Sequence, residues 1–152
     1  MVTASIPEWG ELSLEYLLVD FNGTTAFNGQ MKQGVRELLD EVSKHVKVYL
    51  VSSDTYGSID KEAAGSFTVR KVSTGSDKAD LVRHLGPEHV VAIGNGANDA
   101  MMLREAALGI AVIGEEGSAA SVLKEADIVV TDIAHALDLI LHPERLVAAL
   151  RE

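Results

Sequence analysis

Apolar residues in this chain gather into short, uninterrupted runs: "YLLVD" (16–20), "VKVYLVS" (46–52), "VVAIG" (90–94), "GIAVIG" (109–114) and "DIVVT" (127–131). Consecutive rather than alternating apolar positions suit strands covered on both faces, as in a parallel sheet. Helical periods lie between them. Residues 32–45 place Val35, Leu38, Leu39 and Val42 at helical spacing, with Lys32, Arg36, Glu37 and Asp40 between. Residues 77–85 put Leu81, Val82 and Leu85 on one face, and Gly86-Pro87 ends them. Residues 98–107 and 118–125 read as further helices, as does 133–150 with a break or kink at Pro143. The Gly-, Ser- and Thr-rich stretch 53–76 reads as a short helix near 57–64 and a short strand around 67–72. No repeat, low-complexity tract or linker interrupts the pattern. Strand–helix alternation of this kind predicts an α/β fold: a doubly wound, Rossmann-like parallel sheet with helices on both faces.

A length of 152 residues with 47% hydrophobic positions supports one core, hence one domain over 1–152. The net charge of −10 argues against nucleic acid and anionic membranes as partners, because both select basic patches. Without cysteine there is neither a disulfide nor a thiolate metal site, which fits a cytoplasmic protein. The start "MVTASIPEWGELSLEY" has no basic region followed by an apolar one, so no secretory leader is expected. No apolar run approaches the ~20 residues of a membrane span.

In an open parallel sheet, ligands bind beyond the carboxyl ends of the strands. Asp20-Phe21-Asn22-Gly23-Thr24 follows the first run, Ser52-Ser53-Asp54-Thr55 the second and Gly94-Asn95-Gly96-Ala97-Asn98-Asp99 the third. Lys78 sits on the helix before the third. Carboxylates, hydroxyls, amides and one ammonium therefore converge on one crevice. Such a set suits phosphoryl transfer: a carboxylate nucleophile, Mg²⁺ held by oxygens, and donors for phosphate oxygens.

"DFNGT", "VSSDT", Lys78 and "GNGANDAMMLREAALGIAV" together resemble, in order, the four motifs of the haloacid dehalogenase superfamily. The nearer likeness, over roughly residues 15–150, is to its soluble P-type ATPase-like group, whose motifs run D-x-N-G-T, T-A-D-T and G-N-G-x-N-D. The resemblance implies a phosphohydrolase or phosphotransferase in which Asp20 attacks phosphorus and becomes an aspartyl-phosphate. It implies that Ser52, with Ser53 beside it, bonds phosphate oxygens and that Lys78 neutralises phosphoryl charge. It implies that Gly23 lets the backbone pass close to the phosphate. Mg²⁺ would be held by Asp20, the Asn22 carbonyl and Asp99, with Asn95 where a carboxylate usually helps. The substrate would be a phosphorylated small molecule or protein.

Each residue also has a plainer reading. Asp20 can cap the following turn, Ser52 and Thr55 are ordinary turn residues, and Lys78 can be a solvated helix lysine with Lys71 as its rival. Asn98 and Asp99 can cap a helix without losing a metal role, and Asp54 can support the metal through water or only orient its loop. Met101, Met102 and Leu103 read as core, and His135 and His142 as surface.

Two asparagines depart from the commoner superfamily pattern. Two residues after the nucleophile an aspartic acid usually protonates the leaving group and then activates water; Asn22 does neither, because an amide does not titrate near neutrality. Such help is worth about 10²–10⁴ in rate. Asn22 thus predicts a slow enzyme or one specialised for activated leaving groups. Asn95 predicts weaker Mg²⁺ binding. The spacing leaves no room for a large cap domain, only a small hairpin near 24–31. Capless relatives take large substrates or close the site with a neighbouring subunit, so a homo-oligomer is compatible. The competing readings are a non-catalytic, regulatory phospho-ligand-binding protein and a response-regulator-like receiver. The latter needs its Asp on the third strand and an acidic pair on the first, and Asp20 stands alone on the first of the apolar runs.

Overall fold

The computed structural model describes residues 1–53, 58–62, 65 and 67–152. Its centre is a six-stranded, all-parallel sheet of β3 (Tyr16–Asp20), β6 (Lys47–Ser52), β7 (Thr68–Lys71), β8 (Val90–Gly94), β9 (Leu108–Val112) and β10 (Ile128–Val130). The spatial order is β10-β9-β8-β3-β6-β7. The chain builds outward from β3 through β6 to β7, then returns to β3's other side and builds outward again from β8. The strand order therefore reverses between β3 and β8, and a crevice opens at the carboxyl ends there.

Alternation along the strands feeds two cores. Leu17, Val19, Val48, Leu50, Val91, Ile93 and Ile110 face α1 (Val35–Ser43), α6 (Ile133–Leu141) and α7 (Pro143–Leu150). Leu18, Tyr49, Val51, Ala92 and Ala111 face α3 (Gly75–Leu85), α4 (Ala100–Glu105) and α5 (Ala120–Glu125). Helices thus cover both faces, as the unbroken apolar runs require. Asp20 shares its parity with Leu18, so its side chain emerges on the α3 and α4 side.

Pro143 does break the last helical pattern. It stands at the first turn of α7, where its missing N–H leaves no bond unmade, and His142 separates the two helices. Helix α3 begins two residues before the expected start, at a capping box in which Thr74 Oγ1 accepts from Asp77 N and Asp77 Oδ2 accepts from Thr74 N. The short α2 (Ser58–Glu62) and β7 fall within the expected 57–64 and 67–72.

The crevice has no large cap among the described residues. After β3 there is only a hairpin of β4 (Ala26–Phe27) and β5 (Gln30–Met31), turned by Asn28-Gly29 with both residues left-handed.

The sequence pattern did not reveal the N-terminal hairpin, β1 (Val2–Ile6) paired antiparallel with β2 (Gly10–Leu14). Its apolar face, Val2, Ala4, Ile6, Leu12 and Leu14, is buried and β1 lies against α7. Among the described residues no helix is long and apolar enough to cross a membrane.

Candidate active site

Asp20 ends β3, Lys78 lies in the first turns of α3, and Asp99 closes the 3-10 turn Ala97–Asp99 after β8. All three are buried. Lys78 Nζ donates to Asp20 Oδ1 at 3.0 Å and to Asp99 Oδ1 at 2.7 Å. The capping box that fixes the start of α3 also fixes where this lysine points. Lys71, the alternative, instead makes an exposed pair with Asp60 at 2.7 Å, on the edge strand.

Two buried carboxylates and one ammonium leave one excess negative charge in a buried site. Burial and then the neighbouring Asp99 push the Asp20 carboxyl up to about 7, against the opposing pull of Lys78. Burial alone would lower the Lys78 ammonium, but Asp20 and Asp99 more than offset it and its pKa is raised.

Asp99 is held from several directions. Its Oδ2 accepts from the backbone N–H groups of Asn95 and Gly96, both at 3.1 Å. A β-carbon at Gly94 would stand 2.5 Å from Asp99 Cγ and 2.6 Å from Oδ2, so only glycine leaves room for this side chain.

Thr24, which sequence reasoning passed over, is fully buried. Its hydroxyl lies 3.2 Å from Asp20 Oδ2 and 3.0 Å from Asn95 Oδ1. Asn95 Nδ2 donates in turn to Gly117 O at 3.2 Å. The hydroxyl therefore links the strand-end carboxylate to the loop after β8. The hint was present in the pair Thr24-Thr25 directly after a strand-end acid, where two small hydroxyl residues suit a buried turn.

Gly23 is left-handed (φ 79°), and its N–H donates to Ala26 O at 2.8 Å. Its contribution at the crevice is therefore space, not a hydrogen bond. A β-carbon there would overlap Glu116 Oε2 and stand 2.9 Å from Asn95 Nδ2. Asn22 is exposed, and its Nδ2 donates across the crevice mouth to Ser52 Oγ at 3.2 Å. Ser52 is buried at the end of β6. Ser53 is exposed, 3.5 Å from Asn98 Nδ2. Asp54 and Thr55 lie outside the described residues. Met102 and Leu103 are core, and His135 and His142 are exposed.

For a divalent cation the crevice offers oxygens only: Asp20, the Asn22 carbonyl, Asn95, Asp99 and, over Gly23, Glu116. No three acidic or histidine side chains form a ready ligand cluster among the described residues. The hard-oxygen chemistry fits Mg²⁺, which takes few protein ligands and keeps waters, and the missing side chain at Gly23 lets the Glu116 carboxylate reach this edge of the crevice.

A doubly wound α/β sheet with a buried carboxylate–lysine cluster at its switch point is the frame of the site. The chain belongs to the haloacid dehalogenase-like hydrolases, whose family model matches residues 2–107. It is 40% identical over 94 residues to an uncharacterised protein of Methanocaldococcus jannaschii, covering 62% of this chain and 98% of that one. The fold is similar to 3-deoxy-D-manno-octulosonate 8-phosphate phosphatase from Moraxella catarrhalis, solved with magnesium, phosphate and KDO (TM-score 0.66, 16% identity, 90% of each chain). It is also similar to the catalytic domain of the CPx-ATPase CopB-B (TM-score 0.62, 21% identity, 72% of this chain and 45% of that one).

Proposed function

We propose that this protein is a Mg²⁺-dependent phosphohydrolase or phosphotransferase that works through an aspartyl-phosphate on Asp20. The observation that carries the reading is Asp20 at the carboxyl end of the central strand, 3.0 Å from a buried lysine in the switch-point crevice.

An Asp20 carboxylate oxygen forms a bond to phosphorus as the bond from phosphorus to the leaving oxygen breaks. Lys78 stays beside the developing charge and needs no reorganisation, because Asp20 and Asp99 already hold it. Ser52, buried at the end of the neighbouring strand, would donate its hydroxyl to a phosphoryl oxygen. Water then attacks phosphorus, releasing inorganic phosphate and restoring the Asp20 carboxylate. Asp20, the Asn22 carbonyl and carboxylate or amide oxygens beyond β8 would hold Mg²⁺, which when bound neutralises phosphoryl charge.

Neither step receives a proton transfer from Asn22. The leaving oxygen must depart without an acid, or take its proton from solvent. Acyl phosphates and anhydrides tolerate this and alkyl monoesters do not, so the substrate class is a phosphorylated compound with a good leaving group. The amide at 22 also supports the alternative, a phospho-ligand-binding protein that turns over barely or not at all.

Incubation with acetyl phosphate and Mg²⁺, followed by acid quench and peptide mass spectrometry, tests this. A hydroxylamine-labile phosphoryl group on the peptide holding Asp20 is expected. An unmodified Asp20 peptide, with no phosphate released, would leave the binding-protein reading standing.

A further inference from the structure

We propose that Glu116 supplies the second negative charge of the divalent-cation site, the charge that Asn95 does not bring. The proposal rests on the metal-assisted reading above and assigns one more residue to it.

The need follows from what the other groups are doing. Asp99 is wholly buried, with Oδ1 on Lys78 and Oδ2 on two backbone N–H groups, so its charge is already matched within the fold. Asn95 is neutral, and both ends of its amide are engaged, Oδ1 by Thr24 and Nδ2 by Gly117. Asp20 shares its charge with Lys78. A dication in this crevice therefore meets less than two formal negative charges.

Glu116 stands at the place where more charge is useful. Gly117 N donates to Gly114 O at 2.9 Å, closing a tight turn with Glu115 and Glu116 at its corner. The turn is fastened to the loop after β8. Asn95 O accepts from Ala119 N at 2.8 Å and from Ser118 Oγ at 3.2 Å, and Gly117 O accepts from Asn95 Nδ2. From this turn the Glu116 carboxylate extends into the space above Gly23 that any other residue's β-carbon would fill, on the same side as the Asn95 amide. It makes no ion pair or hydrogen bond with any described residue. Lys32 Nζ stands 3.3 Å from where a Gly114 β-carbon would lie, at the other end of the turn. Glu116 is exposed, on a turn fixed by backbone hydrogen bonds, and its carboxylate reaches over Gly23 without another partner among the described residues, a placement that suits a hard-cation ligand, direct or through water.

Titration calorimetry of Mg²⁺ into the full chain, with inorganic phosphate present, tests the assignment. Glu116→Gln is expected to weaken Mg²⁺ binding about tenfold or more, while Glu115→Gln on the same turn leaves it unchanged. Asn95→Asp in the Glu116→Gln background is expected to recover most of the loss, because it restores a carboxylate beside the same space. Equal Mg²⁺ affinity in parent and Glu116→Gln would overturn the role of Glu116 and leave the phosphoryl-transfer reading intact. An equal loss in Glu115→Gln would overturn it too, reducing the effect to surface charge. Absence of binding to the parent would remove the metal site altogether, whereas the Asp20 phosphoryl adduct is scored separately by mass spectrometry.

Discussion

Asp20 is where stability and chemistry oppose each other. Its carboxyl is raised from 3.8 to about 7 by burial and by Asp99, so the folded, metal-free protein holds this proton more tightly than the unfolded chain does. Between roughly pH 4 and 7 the folded state binds more protons, and stability falls as pH rises through that window. Asp20→Asn removes the penalty and leaves one buried pair, Lys78 with Asp99. At pH 8 without metal, this variant is expected to melt higher by at least about 2–4 °C, the shift for 1 kcal/mol in a chain of this size, while forming no phosphoenzyme. A lower melting temperature in a thermal scan would mean that Lys78 gains more from Asp20 than burial takes away. Asn22→Asp acts on the other half of the chemistry. The new carboxyl would stand beside Ser52 and could protonate a leaving oxygen. It should raise kcat/KM on an alkyl phosphate monoester, approaching ~10²-fold, and raise acetyl phosphate turnover less, because a carboxylate leaves without a proton. Equal gains on both substrates would show that residue 22 does not face the leaving group. The candidate residues at strand ends were legible as residue types, because an acid ending an apolar run has little structural reason to be there. The partner of Thr24 and the placement of Glu116 were not, since Thr24 meets Asn95 across 71 residues and Glu116 stands on a turn that the apolar pattern does not describe.

Among the elements, the turn after β8 does most to build the site. Gly94 must lack a β-carbon so that Asp99 can fold back under Asn95 and Gly96. Gly94→Ala is expected to cost about 1–3 kcal/mol, as overpacking does, and to suppress Asp20 phosphorylation, since Asp99 would be pushed off Lys78. Urea unfolding and the mass-spectrometric adduct measure the two effects, and a variant unchanged in both would remove Gly94 from the site. The motif "GNGAND" showed where this turn lies, but which atoms it brings together depends on the backbone path. Helix α3 is similar: its period was readable from Leu81, Val82 and Leu85, whereas its start was set by the Thr74–Asp77 box, two polar residues outside the apolar pattern.

At the scale of the whole molecule, the five short apolar runs identified five of the six sheet strands, four of them because β3, β6, β8 and β9 are buried along nearly their whole length, whereas β10 at the edge leaves Val129 exposed. The N-terminal hairpin escaped for the opposite reason. "VTASI" and "ELSL" alternate with small polar residues over only a few positions, and half of each strand faces solvent. Yet it covers one end of the larger core. Leu14 is fully buried there, and Leu14→Ala is expected to cost about 2–5 kcal/mol. A loss under 1 kcal/mol in denaturant titration would show that the hairpin is an appendage and not part of the core.

The reversal of strand order between β3 and β8 has a consequence for the nascent chain. As the polypeptide leaves the ribosome, β3 finds β6 and β7 on one side, but its other edge waits for a strand that emerges only after α3 has been made. Throughout that interval Leu17, Leu18 and Val19 sit on an open sheet edge, the kind of surface that pairs with other chains. Asp20 and Asp99 come together around Lys78 only when β8 closes that edge, so the site is assembled only after β3 has been covered on both sides.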